Sequence, residues 1–383
     1  MSDFSQLVPE HVRNLGRYQP GKSRRQAQQE SKVDCIKMAS NENPFGPSPK
    51  AVEAMRAVLE ESNYYPDNDV SQLRQKLAEF HGVNLDNIVP TAGSTALLGI
   101  IARTLLSPGL NAITSERSFI IYPIATRAAG GRLIQVPMRD NSFDLDAIAA
   151  AVDHNTRIIY LSNPNNPTGT IVNAREIDNF LDQLPATVVV ILDEAYHDFA
   201  KHFAHLRGVD YSHALDYVKQ DRKVVVLRTF SKAHGLAGVR VGYGIGPAEF
   251  MAYLARMRTT FSVSSVAQAA ATAALEDGAH IDKTLRNNAE QAQRLAESMA
   301  ELGFPVTLTW ANFVYCELNE DAASFAQQMQ VEGVIVRPLG AWGAPTAIRV
   351  SIGTPDQNLM FLRAFKNVIE RATVRKPRFD SRL

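Results

Sequence analysis

The stretch "KVVVLRTFSKAHGLAGVRVGYGIG", Lys223 to Gly246, decides the fold. It holds two apolar, strand-like runs, 223–228 and 239–245, with about ten residues between them. A parallel crossover that carries a helix needs at least roughly 10–12 residues of helical character. This connection has glycines and no helical period, so the two runs are expected to be antiparallel neighbours. From about 87 to 245, other short β-branched runs ("NAITS", "RLIQVPM", "RIIYLS", "TVVVILD") alternate with helix-like ones. Several are too continuously apolar for a half-exposed strand, which favours a mostly parallel sheet covered on both faces. The expected fold class is α/β: a large, doubly wound, mixed but mostly parallel sheet.

Outward from that region the organisation simplifies. "GPSPKAVEAMRAVLEE" opens a helix, with Ser48 as cap, Pro49 in the first turn, and Val52, Met55, Val58 and Leu59 on one face. After about 278, a long amphipathic helix is followed by "NFVYCEL", "GVIVRPL" and "AIRVSIG", the pattern of a smaller α+β domain. Residues 1–40 read as irregular and polar. The expected division is an N-terminal arm, 1–47, packing on the small domain; a large domain, 48–277; and a small domain, 278–383. The basic, proline-containing end "RATVRKPRFDSRL" reads as an exposed tail.

Bulk properties exclude several classes. At 383 residues the chain exceeds one small core. Its 40 basic and 40 acidic side chains cancel, which argues against an electrostatic grip on nucleic acid or anionic membrane. No apolar run approaches the ~18–20 residues of a membrane helix, and the N-terminus lacks a secretory apolar core. Cys35 and Cys316 lie far apart and offer no metal-ligand spacing. A reducing, cytoplasmic setting and no metal are expected.

Ligands of doubly wound sheets bind at the carboxyl ends of strands. Four stretches there carry chemistry. In "PTAGSTALL", Gly93, Ser94 and Thr95 open an apolar helix, a seat for phosphate or a plain helix cap. "LSNPNNPTGT" is more rigid than a generic turn needs, and Asn166 is the residue expected to point inward. In "VVVILDEAYHDF", Asp193 ends an apolar strand, where a carboxylate is costly without a partner; Tyr196 follows. In the opening stretch, Lys232 in an apolar setting has its pKa lowered, as a nucleophilic amine requires. Arg240 has a planar fork suited to phosphate. An amine, an acid, and a phosphate cradle together are what pyridoxal phosphate asks for.

The motifs "ASNENPFGPSP", "NPNNPTG", "DEAY", "SKAHGLAGVRVG" and "IRVSIGT" occur in the order of a known family. The chain resembles the fold-type I pyridoxal-phosphate aminotransferases, and within them the histidinol-phosphate aminotransferase branch, over nearly its whole length. The resemblance implies these roles. Lys232 is similar to the lysine that binds the cofactor's aldehyde and shuttles the proton, and Asp193 to the acid at the ring nitrogen. Asn166 and Tyr196 resemble the pair on the phenolic oxygen. Ser94, Thr95, Thr229, Ser231 and Arg240 resemble phosphate ligands, and Phe119 the aromatic that stacks on the ring. Tyr65 resembles a tyrosine that reaches the phosphate from the other subunit, which implies a homodimer. Arg349, Arg337 and Tyr18, with Asn166, resemble the grip on the substrate.

The sequence departs from the family pattern at three places. Thr95-Ala96 stands where Asp-Glu is common, Ser264 where asparagine is common, and Trp342 lies near the substrate arginines.

The resemblance implies ping-pong amino transfer between histidinol phosphate and 2-oxoglutarate. Alternatives are an aromatic amino-acid aminotransferase and a threonine-phosphate decarboxylase-like lyase. "GYGIG" fails the dinucleotide fingerprint, because the third glycine comes one residue early and inside a strand-like run.

Overall fold

The computed structural model describes residues 4–16, 21–22, 24–31 and 34–375. Its large sheet contains β2 (Ile88–Thr91), β3 (Asn111–Ser115), β4 (Arg132–Val136), β5 (Thr156–Ser162), β6 (Val189–Asp193), β7 (Val224–Thr229) and β8 (Gly242–Ile245). Their spatial order is β2-β8-β7-β6-β5-β3-β4. β7 and β8 pair antiparallel, with Val226 opposite Ile245 and Thr229 opposite Gly242. The connection, residues 230–241, carries no helix, and the sheet is mixed as expected. β8 is antiparallel to β2 as well, so it alone runs against the others.

Alternation explains the burial of both faces. Val190, Leu192 and Val226 join one apolar cluster. Ile191, Val225 and Leu227 join another on the opposite face. Each side chain fully removed from water contributes roughly 1.5–3 kcal/mol, so these runs dominate the local stability.

The "GYGIG" glycines serve packing. A Cβ on Gly242 would fall 2.5 Å from the Ser94 backbone nitrogen, and one on Gly244 would fall 2.4 Å from Leu97 Cδ2. The missing side chains let the helix Ser94–Leu105 lie directly on β8. The two glycines of "GLAG" differ. Gly235 has φ +71°, and its Cβ would meet the Gly46 carbonyl at 2.1 Å, so the close approach is to another backbone segment. Gly238 has open space around it.

A second, antiparallel sheet runs β11 (Arg337–Leu339), β12 (Ala344–Ser351), β9 (Phe313–Glu317) in spatial order. Helices Gly278–Glu301, Ala322–Val331 and Pro355–Arg375 supply Leu295, Phe325, Phe361 and Phe365 to its core. The expected single run "GVIVRPL" is split. Val334–Ile335 forms β10, which pairs in parallel with β1 (Ile36–Lys37), and the chain then changes partner to form β11. Pro338 is tolerated there because β11 is an edge strand.

Two further expectations need correction. The first 40 residues are not wholly irregular: short helices span Glu10–Arg13 and Arg24–Ser31. The helix begun by Ser48, whose hydroxyl accepts from Ala51 N at 3.0 Å, stops at Ala57. Leu59 lies in a separate turn, 53% exposed, and Ala51 is the residue buried deepest.

Candidate active site

A cavity of about 220 Å³ lies at the carboxyl ends of β5, β6 and β7, where they meet β11 and β12. Among the described residues, four basic side chains line it (Lys232, Arg240, Arg337, Arg349) with one acid, Asp193. That excess of positive charge suits anionic ligands.

One wall comes from the strand ends. Asp193 is 3% exposed. Its Oδ2 accepts from Tyr122 Oη at 3.0 Å and its Oδ1 from Ala195 N at 3.3 Å. Burial raises its pKa to about 6, against the pull of those two neutral donors. The next residue, Glu194, pairs with Arg228 at 2.7 Å in a site lining a different cavity. Burial opposes its charge, but Arg228 and His197 outweigh this and hold its pKa low. Strand alternation thus separates the two acids of "DEAY" into two environments.

Lys232 follows β7. Its Nζ donates to the Ser40 carbonyl at 3.2 Å and lies 5.6 Å from the Tyr196 ring centroid. Burial, then Arg349 and Arg240, lowers its pKa to about 7. That is the direction an amine nucleophile needs.

Another wall forms where a helix starts beside Arg240. The helix Ser94–Leu105 starts without a side-chain cap, so its first N–H groups, including those of Ser94 and Thr95, have no intrahelical partner. Thr229 Oγ1 donates to Ser231 Oγ at 3.0 Å, and Arg240 Nη1 donates to the same Ser231 oxygen at 3.4 Å. Gly93 has φ +89°, and a Cβ there would fall 2.4 Å from Arg240 Nη2.

The Asn-Pro turn divides its asparagines by task. Asn163 and Asn165 tie the turn to Val172 and Thr168. Asn166 alone of the three lines the cavity. Its Nδ2 donates to Tyr196 Oη at 3.3 Å, and its Oδ1 accepts from Arg349 Nη1. Arg349, 5% exposed, also donates to the Ala39 carbonyl at 2.9 Å. Arg337 stands opposite Arg349 in the β11–β12 register. Trp342 lies between these strands on the turn Gly340–Trp342, with Arg337 4.8 Å and Arg349 5.9 Å from its ring centroid. Phe119 lines the cavity, edge-on to Tyr122 at 5.6 Å.

Tyr65 is 83% exposed, stacked on Phe261 at 4.7 Å, and does not line the cavity of its own chain. Tyr18 lies outside the described residues. Ser264 is a helix cap, accepting from Ala267 N at 3.1 Å.

Three residues at the site were missed. Asn41, with φ +57°, donates from Nδ2 to Tyr196 Oη at 2.8 Å. Its signal was the motif "ASNENPFGPSP", whose asparagines were given no role. Ser40 receives Lys232 from the same motif. Tyr122, which holds Asp193, was visible only as the tyrosine of "RSFIIYP".

The fold matches solved proteins. Histidinol-phosphate aminotransferase from Sinorhizobium meliloti in complex with pyridoxal-5'-phosphate superposes with a TM-score of 0.87 at 28% identity, covering 97% of this chain and 99% of that one. Aspartate aminotransferase from Thermus thermophilus with maleate has a TM-score of 0.81 at 20% identity, covering 94% and 99%. The fold is therefore that of the aspartate-aminotransferase-like, fold-type I enzymes. In sequence, histidinol-phosphate aminotransferase 2 of Pseudomonas fluorescens is 42% identical over 373 residues, 97% of this chain and 99% of that protein. The model of the family "Aminotransferase class I and II" matches residues 33–365, and the chain belongs to that family.

Proposed function

We propose that this chain is a pyridoxal 5'-phosphate-dependent aminotransferase that moves the amino group of histidinol phosphate to 2-oxoglutarate by a ping-pong mechanism. Family membership and full-length relatives support the class. The observation that carries the substrate is the in-register pair Arg337 and Arg349, in the cavity that also holds the Lys232 amine.

The residues fit the cofactor. Asp193 is a buried acid whose hydrogen-bond partners are neutral, which leaves its charge for a protonated ring nitrogen. The uncapped helix start beside Arg240, with room left by Gly93, is a cradle for a phosphate. Ser94, Thr95, Thr229, Ser231 and Arg240 would hold that phosphate, Phe119 the ring face, and Asn166 and Tyr196 the phenolic oxygen.

When bound, pyridoxal phosphate supplies an aldehyde for the substrate amine and a ring that withdraws electrons from its Cα. The chain's own groups do the rest. Lys232, partly neutral near pH 7, takes the Cα proton at Nζ and returns it. Asp193 keeps a positive charge in place behind the ring. Tyr196, fixed by Asn41 and Asn166, holds one orientation. Arg337 and Arg349 bind the anionic end of either substrate and align the reacting carbon.

A panel of amino donors with Arg337→Ala tests the substrate. A loss of 10-fold or more in kcat/KM for histidinol phosphate, with little change for phenylalanine, is expected. Equal use of both donors by the wild type would remove this reading. It would favour aromatic amino-acid transfer, for which Trp342 beside the arginines is the supporting observation.

We extend the reading to a cytoplasmic homodimer in which Tyr65 reaches the partner subunit's phosphate seat. The exposed Tyr65–Phe261 stack supports it, as do two buried free cysteines suited to a reducing compartment. A monomer in sedimentation at working concentration would refute the dimer.

A further inference from the structure

Trp342 is 7% exposed, lines the cavity, and its indole Nε1 has no hydrogen-bond partner among the described residues. A buried N–H without an acceptor is costly in a native protein and calls for an explanation. The ring carries the positive charges of Arg337 and Arg349 against it, at 4.8 and 5.9 Å. These cations take up the π-system. The only polar group left to the indole is its in-plane N–H, which can donate but not accept. The two guanidiniums are fixed to neighbouring positions by the β11–β12 register. An acceptor group drawn to both arginines is therefore brought within the same short turn as the unused N–H.

We propose that Trp342 is a specificity-determining residue, its indole N–H serving as a third donor to the substrate's phosphate beside Arg337 and Arg349. This rests on the phosphorylated-substrate reading above. The chemical class is a phosphate monoester, whose three terminal oxygens accept from several directions at once. A planar carboxylate has two oxygens and is satisfied by an arginine fork alone. The N–H therefore favours phosphorylated donors over ordinary amino acids.

The holoenzyme provides the test, in wild-type, Trp342→Phe and Trp342→Tyr forms. Phe keeps a ring for the arginines and removes the donor; Tyr returns a donor at the ring edge. Calorimetric titration with phenethyl phosphate, an amine-free phosphate monoester, reads binding without turnover. Single-turnover kinetics with histidinol phosphate and with phenylalanine read the substrates. Trp342→Phe is expected to weaken phenethyl phosphate about 10-fold and to raise the half-saturating histidinol phosphate by a similar factor. The limiting rate and the phenylalanine kinetics should stay within about twofold, and Trp342→Tyr should recover part of the loss. Equal phosphate binding by wild type and Trp342→Phe overturns the inference and leaves the proposed function standing. So does an equal loss for phosphate and phenylalanine, which marks the ring as a mere wall. If the wild type neither binds the monoester nor uses histidinol phosphate, both readings fall together.

Discussion

Arg337 and Arg349 face each other directly across the antiparallel pair β11–β12, with the Trp342 ring against both. Like charges in this relationship destabilise a sheet. An anion between them turns the repulsion into a binding site. Inorganic phosphate should therefore stabilise the holoenzyme, whose cofactor seat is already filled, by roughly 2–4 °C at saturation. Arg337→Ala should abolish most of this shift in a thermal melt. An unchanged shift would place the anion elsewhere.

Among the described residues Lys232 is the one amine lining the cavity, and its pKa is lowered to about 7 by burial and the neighbouring arginines. Lys232→Ala should reduce activity by about 10³-fold or more, the upper range for a lost acid–base group. In the wild type, borohydride treatment should fix the cofactor's mass on the peptide containing Lys232. Recovery of that mass on another lysine would refute the assignment.

Asp193 illustrates function held at the expense of stability. Its folded pKa of about 6 lies above the ordinary value of 3.8. The folded carboxyl thus binds its proton more tightly than the unfolded one. The cofactor-free protein should lose stability as pH rises from about 4 to about 6, and stay lower above that range. Asp193→Asn should erase this slope and be more stable at pH 7 by on the order of 1–3 kcal/mol, while losing activity. Urea midpoints of both cofactor-free proteins across pH decide the matter; parallel curves would contradict the claim.

Gly242 and Gly244 both face the helix Ser94–Leu105 but are not equivalent. A Cβ on Gly242 meets backbone, the Ser94 nitrogen at 2.5 Å, which cannot move aside without shifting the helix start. A Cβ on Gly244 meets the end of the Leu97 side chain. Gly242→Ala should cost about 1–3 kcal/mol and loosen pyridoxal phosphate in dialysis. Gly244→Ala should cost less and retain the cofactor. Equal retention by both would show that the helix start does not depend on this contact.

Much of this protein is written in local chemistry. The short connection between β7 and β8, with glycines and no helical period, pointed to antiparallel neighbours, because it offers no helical crossover. Unbroken apolar runs determined the two-faced sheet, and residues at its strand ends supplied Lys232, Asp193, Asn166 and Arg240. Tertiary structure decided what depends on distant partners. Asn41 reaches Tyr196 across 155 residues, and nothing in the neighbourhood of either announces the other. Tyr65, read as reaching the phosphate of the other subunit, stays on the surface of its own chain. The glycines of "GYGIG" resemble a nucleotide loop until the helix they admit is seen lying on them. The juxtaposition of Arg337 and Arg349 depends on strand register, since a one-residue slip sends a side chain to the other face. Periodicity and turn length act between near neighbours and survive in a linear reading. Register and packing act between segments, and exist only once the chain has folded.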